Sequence, residues 1–295
     1  MKRALPILII SVLLLAGCSE EGDDDNDVQV ILIEDDDDRE PEDNTTQDDA
    51  LQIDLFIVVH CEPGNLPQTT EYPDRYWPAL ELAVRNADEF GMRLNILMNP
   101  QWATYIMDDP ERRILVRKWC DSGHEIGLHH HGPHAGSWNG YTDQEEFASN
   151  PKYIGDMEDC MDLMMQVPKS GKIRVAGVQD QDAELDYPGG ISYDVDGGAG
   201  GTDDLVSVPD EVTWNGHTMT HLSHGKYGGG SEIDLTIPEI ETAMDDMEEG
   251  EVMGLVFHAF EFDSNPDDIV NLFRVLNDRG VHSRSVPDII NGLGQ

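Results

Sequence analysis

The sequence predicts one α/β domain with parallel strands curled into a barrel, on three observations. From residue 51 onward, short apolar runs alternate with longer stretches of helical period, the pattern of repeated βα units. Neither GxGxxG nor GxxxxGK[ST] occurs, which argues against dinucleotide-binding and P-loop sheets. The residues able to do chemistry follow the apolar runs, as they do at the C-terminal strand ends of (β/α) barrels. No internal repeat shows, and no linker divides residues 51–295.

Residues 55–59 are continuously apolar and predict a buried strand. Residues 77–90 place Leu80, Ala83, Val84 and Ala87 at helical period, and Gly91 punctuates the end. Residues 94–98 predict a second strand. Residues 110–121 predict a helix with its proline in the first turn, leading into a strand at 124–128. A helix is expected over 154–167, with Met157, Met161, Leu163 and Met164 as core. A strand at 172–175 and a Gly-rich loop at 189–201 follow. The final elements are a strand at 252–257, a helix at 269–276 and a closing strand at 281–286.

The first 50 residues read differently. Lys2 and Arg3 precede an apolar run from Leu5 to Leu15, too short to span a membrane, which ends at Ala16-Gly17-Cys18. This is the pattern of a secretory signal peptide over residues 1–17. Leu15-Ala16-Gly17-Cys18 resembles a bacterial lipobox, which implies lipidation of Cys18 and an exported protein anchored to the cell envelope, at the outer membrane or cell surface. Residues 19–50 carry sixteen acidic side chains and one basic, Arg39, so residues 18–50 read as a disordered tether. The chain has a net charge of −42, and residues 51–295 alone keep about −29. Such a surface repels nucleic acid and other polyanions. With Cys18 acylated, Cys61, Cys120 and Cys160 allow at most one bridge, and Cys120 with Cys160 is the expected pair.

The densest chemical signal is the stretch from Gly123 to His134, Gly-His-Glu-Ile-Gly-Leu-His-His-His-Gly-Pro-His, with four histidines in six residues. Imidazole is the commonest metal ligand, and the Gly-Pro turn can fold ring nitrogens onto one divalent ion. After the first strand comes His60-Cys61-Glu62, where strand alternation puts His60 and Glu62 on one face, able to converge on a metal or a water. His217, His221 and His224 form a further cluster around Trp214. It reads as an exposed polar segment, with a second metal site or part of a substrate groove as the other possibilities. Trp102, Trp138 and Trp214 fall in expected loops and could stack on sugar rings.

The Gly-His-Glu-Ile-Gly stretch followed by spaced histidines resembles the metal motif of polysaccharide deacetylases of the NodB-homology type. The resemblance implies a distorted (β/α) barrel over residues 51–295 and maps the two metal histidines onto His130 and His134, or His129 and His134. His131 is then a spare and His124 structural. It also implies that Glu62 is the carboxylate ligand, with His60 as a second ligand or as the base. In that family the slot usually holds two adjacent aspartates, from which this chain departs. Two histidines and one carboxylate leave coordination positions open, as catalytic sites require.

Lys172-Ile173-Arg174-Val175 resembles the family's arginine motif, so Arg174 is expected to orient a carboxylate, Glu62 or Asp180. Gly190-Ile191-Ser192-Tyr193-Asp194 matches an architectural motif that follows it. His258, directly after its apolar strand, occupies the place of the general acid, with Glu261 and Asp263 as supports or as groups binding sugar hydroxyls. The implied activity is metal-dependent removal of acetyl groups from an N-acetylated or O-acetylated glycan, with zinc expected, or cobalt or nickel. Two other functions fit the same residues. A glycan-binding protein that had lost catalysis would bind sugar without releasing acetate. A metal-scavenging lipoprotein would bind metal with no glycan dependence.

Overall fold

A computed structural model describes residues 53–195, 204–228 and 234–293. The expected signal peptide, Cys18 and the acidic tether lie outside the described residues, as do residues 196–201 of the Gly-rich loop. Within the compact unit Ala50–Gln295, the chain runs β1 (Asp54–His60), α1 (Glu71–Glu89), β2 (Leu94–Met98), α2 (Pro100–Met107), α3 (Pro110–Asp121) and β3 (Glu125–His131). It continues with α4 (Met157–Met164), β4 (Val175–Gln179), β5 (Tyr193–Asp194), β6 (Val206–Ser207), β7 (Asp210–Trp214), β8 (His217–His221) and β9 (Gly225–Lys226). The last elements are α5 (Ile237–Asp246), β10 (Val252–His258), α6 (Ala259–Ser264), α7 (Pro266–Asp278) and α8 (Val286–Leu293). Among the described residues no helix is long and apolar enough to cross a membrane.

The sheet order is β6-β10-β1-β2-β3-β4-β5-β8-β7, with β9 also on β10. From β10 through β5 to β8 every neighbour is parallel. The order follows the chain from β1 to β5, with α-helices between the strands as far as β4, which is the winding of a (β/α) barrel. The sheet curls without closing, because antiparallel β7 and β6 sit at its two ends. The architecture is the distorted barrel expected.

Strand alternation divides the residues into two cores. Leu55, Ile57, Val59 and Cys61 of β1 and its end, Ile126 and Leu128 of β3, and Met253, Leu255 and Phe257 of β10 face the surrounding helices. Phe56, Val58, Val175, Val252 and Val256 face the barrel interior, together with Val286 and Ile289 of α8. The interior positions that follow them along β1, β3 and β10 are polar, and these are the mouth of the barrel.

Several boundaries differ from expectation. The expected closing strand at 281–286 is an extended segment whose Arg284 N–H donates to the Leu55 carbonyl, followed by α8. Asn95 Oδ1 accepts from the Val286 N–H and Ser285 Oγ from the Asp288 N–H, so helix-starting contacts win there. The strand expected at 172–175 starts only at Val175, and α4 is shorter than 154–167 because Asp156 caps it on the Asp159 N–H. Cys61, Cys120 and Cys160 are free thiols, correcting the expected bridge. Cys160 is sealed in the helix-side core, whereas Cys120 lies partly buried at that core's edge on a different helix.

Gly127 shows why the histidine-bearing strand needs its glycine. A Cβ there would lie 2.2 Å from Leu97 Cδ2 and 2.6 Å from the Val175 carbonyl oxygen, and a backbone atom cannot rotate away. Gly127→Ala should therefore destabilise the fold by about 1–3 kcal/mol, the usual cost of overpacking, read as a lowered denaturation midpoint in urea. An unchanged midpoint would show that β3 and β4 are not in this close contact.

Candidate functional site at the barrel mouth

The register brings the strand ends together. His60 is directly opposite His258 across the β1–β10 pair. The chain after β1 is held by the start of α2: Asn99 Nδ2 donates to the Cys61 carbonyl at 2.6 Å, Trp102 Nε1 to the Glu62 carbonyl at 3.0 Å, and the Gly64 N–H to Gln101 Oε1 at 2.6 Å. These bonds fix the backbone of Glu62 while its carboxylate turns into the mouth. Trp102 is thus a fully buried helix residue rather than a loop aromatic, and Trp138 is buried as well.

Three imidazoles converge on the Glu62 carboxylate. His129 Nε2 lies 3.1 Å from Oε1, His131 Nε2 lies 3.1 Å from Oε2, and His258 Nε2 lies 3.2 Å from Oε1. His129 and His131 Nε2 are 2.9 Å apart. The His60 ring stacks on His129 at 4.0 Å, with His224 and His258 edge-on to it at 5.6 and 5.4 Å. Behind His258, Glu261 Oε2 takes both the His258 N–H and Nδ1 at 2.8 Å, and Lys226 Nζ holds Glu261 Oε1 at 2.9 Å.

This arrangement corrects the expected ligand set. His129 and His131 share the interior face of β3, whereas His130 points to the helix side, so alternation excludes it from Glu62. There Asn139 Nδ2 donates to His130 Nδ1 at 3.1 Å, and Nε2 faces buried Asp186 at 3.6 Å. His134 lies beyond the strand and is tied to Asp180, its N–H donating to Oδ1 at 2.9 Å. His131, expected to be spare, is the second inward histidine. Arg174 precedes β4 at the opposite end of the sheet and pairs with Glu125 at 3.0 Å, not with Glu62 or Asp180. His124 has a structural place, its Nδ1 accepting from the Leu94 N–H at 3.0 Å.

The cluster of His217, His221 and His224 is not one exposed segment. His217 and His221 belong to the β7–β8 hairpin, His221 Nδ1 bonds Asp194 at 2.6 Å, and His224 reaches His60. Sequence reading missed this role for His224. No local signal marks it, because His224 is placed by strand pairing, three residues beyond the Asp194–His221 register position.

The electrostatics follow from crowding. Burial would raise the Glu62 pKa, but the charge of His129 and hydrogen bonds from His129, His131 and His258 hold it far below the carboxylate range. Desolvation lowers His129 and His224 to about 4 and pushes His60 well down. Burial also opposes charge on His258, yet the hydrogen bonds of Glu261 and Glu62 outweigh it and raise the pKa to about 9.

The donor set fits a divalent transition metal. Glu62, His129 and His131 each offer one atom within 4.8 Å of the others, as do His60, Glu62 and His258. Ligands around one tetrahedral zinc stand roughly 3.3 Å apart, given bonds of about 2.0–2.1 Å. His129 and His131 Nε2 stand 2.9 Å apart, and each lies 3.1 Å from one of the two Glu62 carboxylate oxygens, separations close to that. His60 Nε2 is also buried without a hydrogen-bond partner, an arrangement that an added ligand would relieve.

No protein-family model matches this sequence, and no curated protein matches it. Among solved structures, a 4-alpha-glucanotransferase from Thermococcus litoralis is similar in fold, with 13% identity and a TM-score of 0.50 over 81% of this chain. This chain spans only 40% of that enzyme. The peptidoglycan deacetylase PdaC from Bacillus subtilis aligns over 82% of this chain and 91% of its own, at 11% identity and a TM-score of 0.42. A family 4 acetyl xylan esterase from Clostridium thermocellum, in complex with a cobalt ion, aligns over 80% and 90%, at 12% identity and a TM-score of 0.42.

The pKa directions set a stability profile for metal-free protein. His258, raised from 6.5 to about 9, contributes stability that is complete below pH 6.5 and lost as pH rises through 9. His129 and His224, lowered from 6.5 to about 4, contribute stability present above pH 6.5 and lost as pH falls through 4. Thermal melts in chelator should therefore peak near pH 6.5, and His258→Gln should flatten the alkaline side. A profile flat from pH 6.5 to 9 in the parent protein would contradict the His258–Glu261 pairing.

Proposed function

We propose that this chain is a metal-dependent hydrolase that removes acetyl groups from a glycan, acting at the Glu62 cluster. The observation that carries the reading is the convergence of Glu62, His129, His131 and His258 from three strand ends, with His258 backed by Glu261. Glu62, His129 and His131 would hold the ion. A divalent ion in that position supplies Lewis acidity toward an acetyl carbonyl and lowers the pKa of water. Zinc suits this mixed imidazole and carboxylate set, and cobalt or nickel can occupy similar ones.

The protein's own groups divide the proton work. Neutral His60, its Nε2 unpartnered, accepts a proton from the attacking water. His258 is protonated at neutral pH and donates from Nε2 to the departing sugar nitrogen, or to oxygen in an ester, as the bond to the acetyl carbon breaks and acetate leaves. Glu261 keeps Nδ1 bonded, so that Nε2 carries the mobile proton. The histidine motif and the position of His258 support this reading over glycan binding alone, despite the missing aspartate pair.

The test combines metal analysis of full-length protein with acetate release from N-acetylated and O-acetylated glycans after loading with zinc, cobalt or nickel. His131→Ala should cut metal occupancy by about tenfold or more, whereas His134→Ala should leave it unchanged. His258→Ala should keep the metal and lose about 10²–10⁴-fold in turnover. Loaded parent protein that binds a glycan but frees no acetate would leave a sugar-binding protein instead.

We further propose that Cys18 is acylated and holds the enzyme on the cell envelope, on the strength of the Leu15–Cys18 tetrapeptide. Cys18→Ala should abolish labelling by a fatty-acid probe and move the protein out of the membrane fraction. Labelling that survives the substitution would remove the anchor.

A further inference from the structure

Two sets of metal-ligating side chains share Glu62. The ion proposed for catalysis takes Glu62, His129 and His131. The second set is His60, Glu62 and His258, whose ligand atoms also lie within 4.8 Å of one another. The Glu62 carboxylate faces both sets, with Oε2 at 3.1 Å from His131 Nε2 and Oε1 at 3.2 Å from His258 Nε2. Each oxygen can therefore take its own ion. Paired catalytic ions stand about 3.5–4 Å apart, a span that one carboxylate bridges.

Two further observations point to an ion in the second set. His60 is only 5% exposed, and its Nε2 is buried without a hydrogen-bond partner, in a ring that stands edge-on to His258 at 5.4 Å. His258 has the backing that metal-bound histidines carry: Glu261 Oε2 holds Nδ1 at 2.8 Å, which directs Nε2 toward a ligand. Charge sets the order of filling. A second dication beside the first is repelled by it, so the second set binds more weakly, by about tenfold or more. The Glu261 carboxylate behind His258 and the net charge of −42 on the chain offset part of that repulsion.

We propose that His60, Glu62 and His258 form a second, weaker divalent-metal site sharing Glu62 with the first, and that an ion held there inhibits hydrolysis. The inhibitory half rests on the hydrolase reading of the Glu62 cluster, whereas the site itself does not. An ion on His258 Nε2 takes the lone pair that otherwise carries the proton to the leaving group, and that proton passes to solvent. The same ion takes the His60 nitrogen that accepts a proton from water. Both proton transfers stop while the first ion stays in place, so the protein is active at limiting metal and silenced by excess.

The experiment titrates metal-stripped, full-length parent protein, His60→Gln and His258→Gln with cobalt(II), followed by calorimetry and electron paramagnetic resonance. The parent should bind a second cobalt about tenfold or more weaker than the first, and the signal of the first should collapse by spin coupling as the second enters. Each variant should keep the first ion and lose the coupled second. Cobalt on the acidic side chains elsewhere is too distant to couple, so it is not mistaken for the site. Acetate release by the parent should rise through the first equivalent and fall about tenfold or more through the coupled second, since one general acid is worth about 10²–10⁴-fold. No coupled pair in the parent, or a pair that survives either substitution, overturns the site, and the parent titration decides alone should the variants fail to fold. A coupled pair with undiminished acetate release overturns the inhibition. A pair that forms in the parent and is lost in the variants, with no acetate freed at any loading, upholds the site while the hydrolase reading fails.

Discussion

The buried carboxylate of Glu62 is the constraint around which the mouth is arranged. An isolated carboxylate in such surroundings would take up a proton, since desolvation penalises its charge. Three imidazole nitrogens at 3.1–3.2 Å keep it ionised instead. The requirement runs outward in layers. Glu261 orients His258, Lys226 neutralises Glu261, and Asn99, Gln101 and Trp102 pin the backbone that delivers Glu62.

The interior of the sheet is correspondingly split along its axis. At the N-terminal end, valines and Phe56 pack against α8 into a small dry core, and this floor lets the polar residues above it be held by packing. At the C-terminal end, the same alternation presents His60, His129, His131 and His258 inward. The positions between them, Val59, His130 and Phe257, are directed to the helices. His130 is therefore a buried polar residue on the helix side, where Asn139 bonds its Nδ1 and the Asp186 carboxylate faces its Nε2 at 3.6 Å.

The surface charge and the site work in different ranges. The large acidic excess acts through the long-range field and favours neutral or cationic ligands over polyanions. Within the mouth, the short-range chemistry is set by imidazoles and two carboxylates.

Local sequence determined a good deal. Apolar runs located β1, β2 and β10, helical period with a first-turn proline located α3, and the histidine block marked the candidate site. His60 and His258 were legible because each ends an apolar strand, and Glu62 because it follows His60 by two, the exit of these strands at the barrel mouth being a consequence of parallel winding. What escaped was any property that depends on where a strand stops or what lies beside it. β3 runs on through His131, because backbone pairing with β4 continues to Gln179, and polar side chains hide that continuation from a hydropathy pattern. With the strand taken to end at Leu128, the four histidines read as a loop, and the motif spacing that the family resemblance implies favoured His130 and His134, or His129 and His134. Arg174 fell on the wrong end of the sheet for the related reason that β4 begins after it. His224 depends on the β7–β8 hairpin turning back over the mouth, a contact between segments more than 160 residues apart in the chain. Which side chains could carry the chemistry is thus a local property, written in residue type. Which of them meet is decided by inter-strand register and alternation, because those contacts form only when distant strands pair.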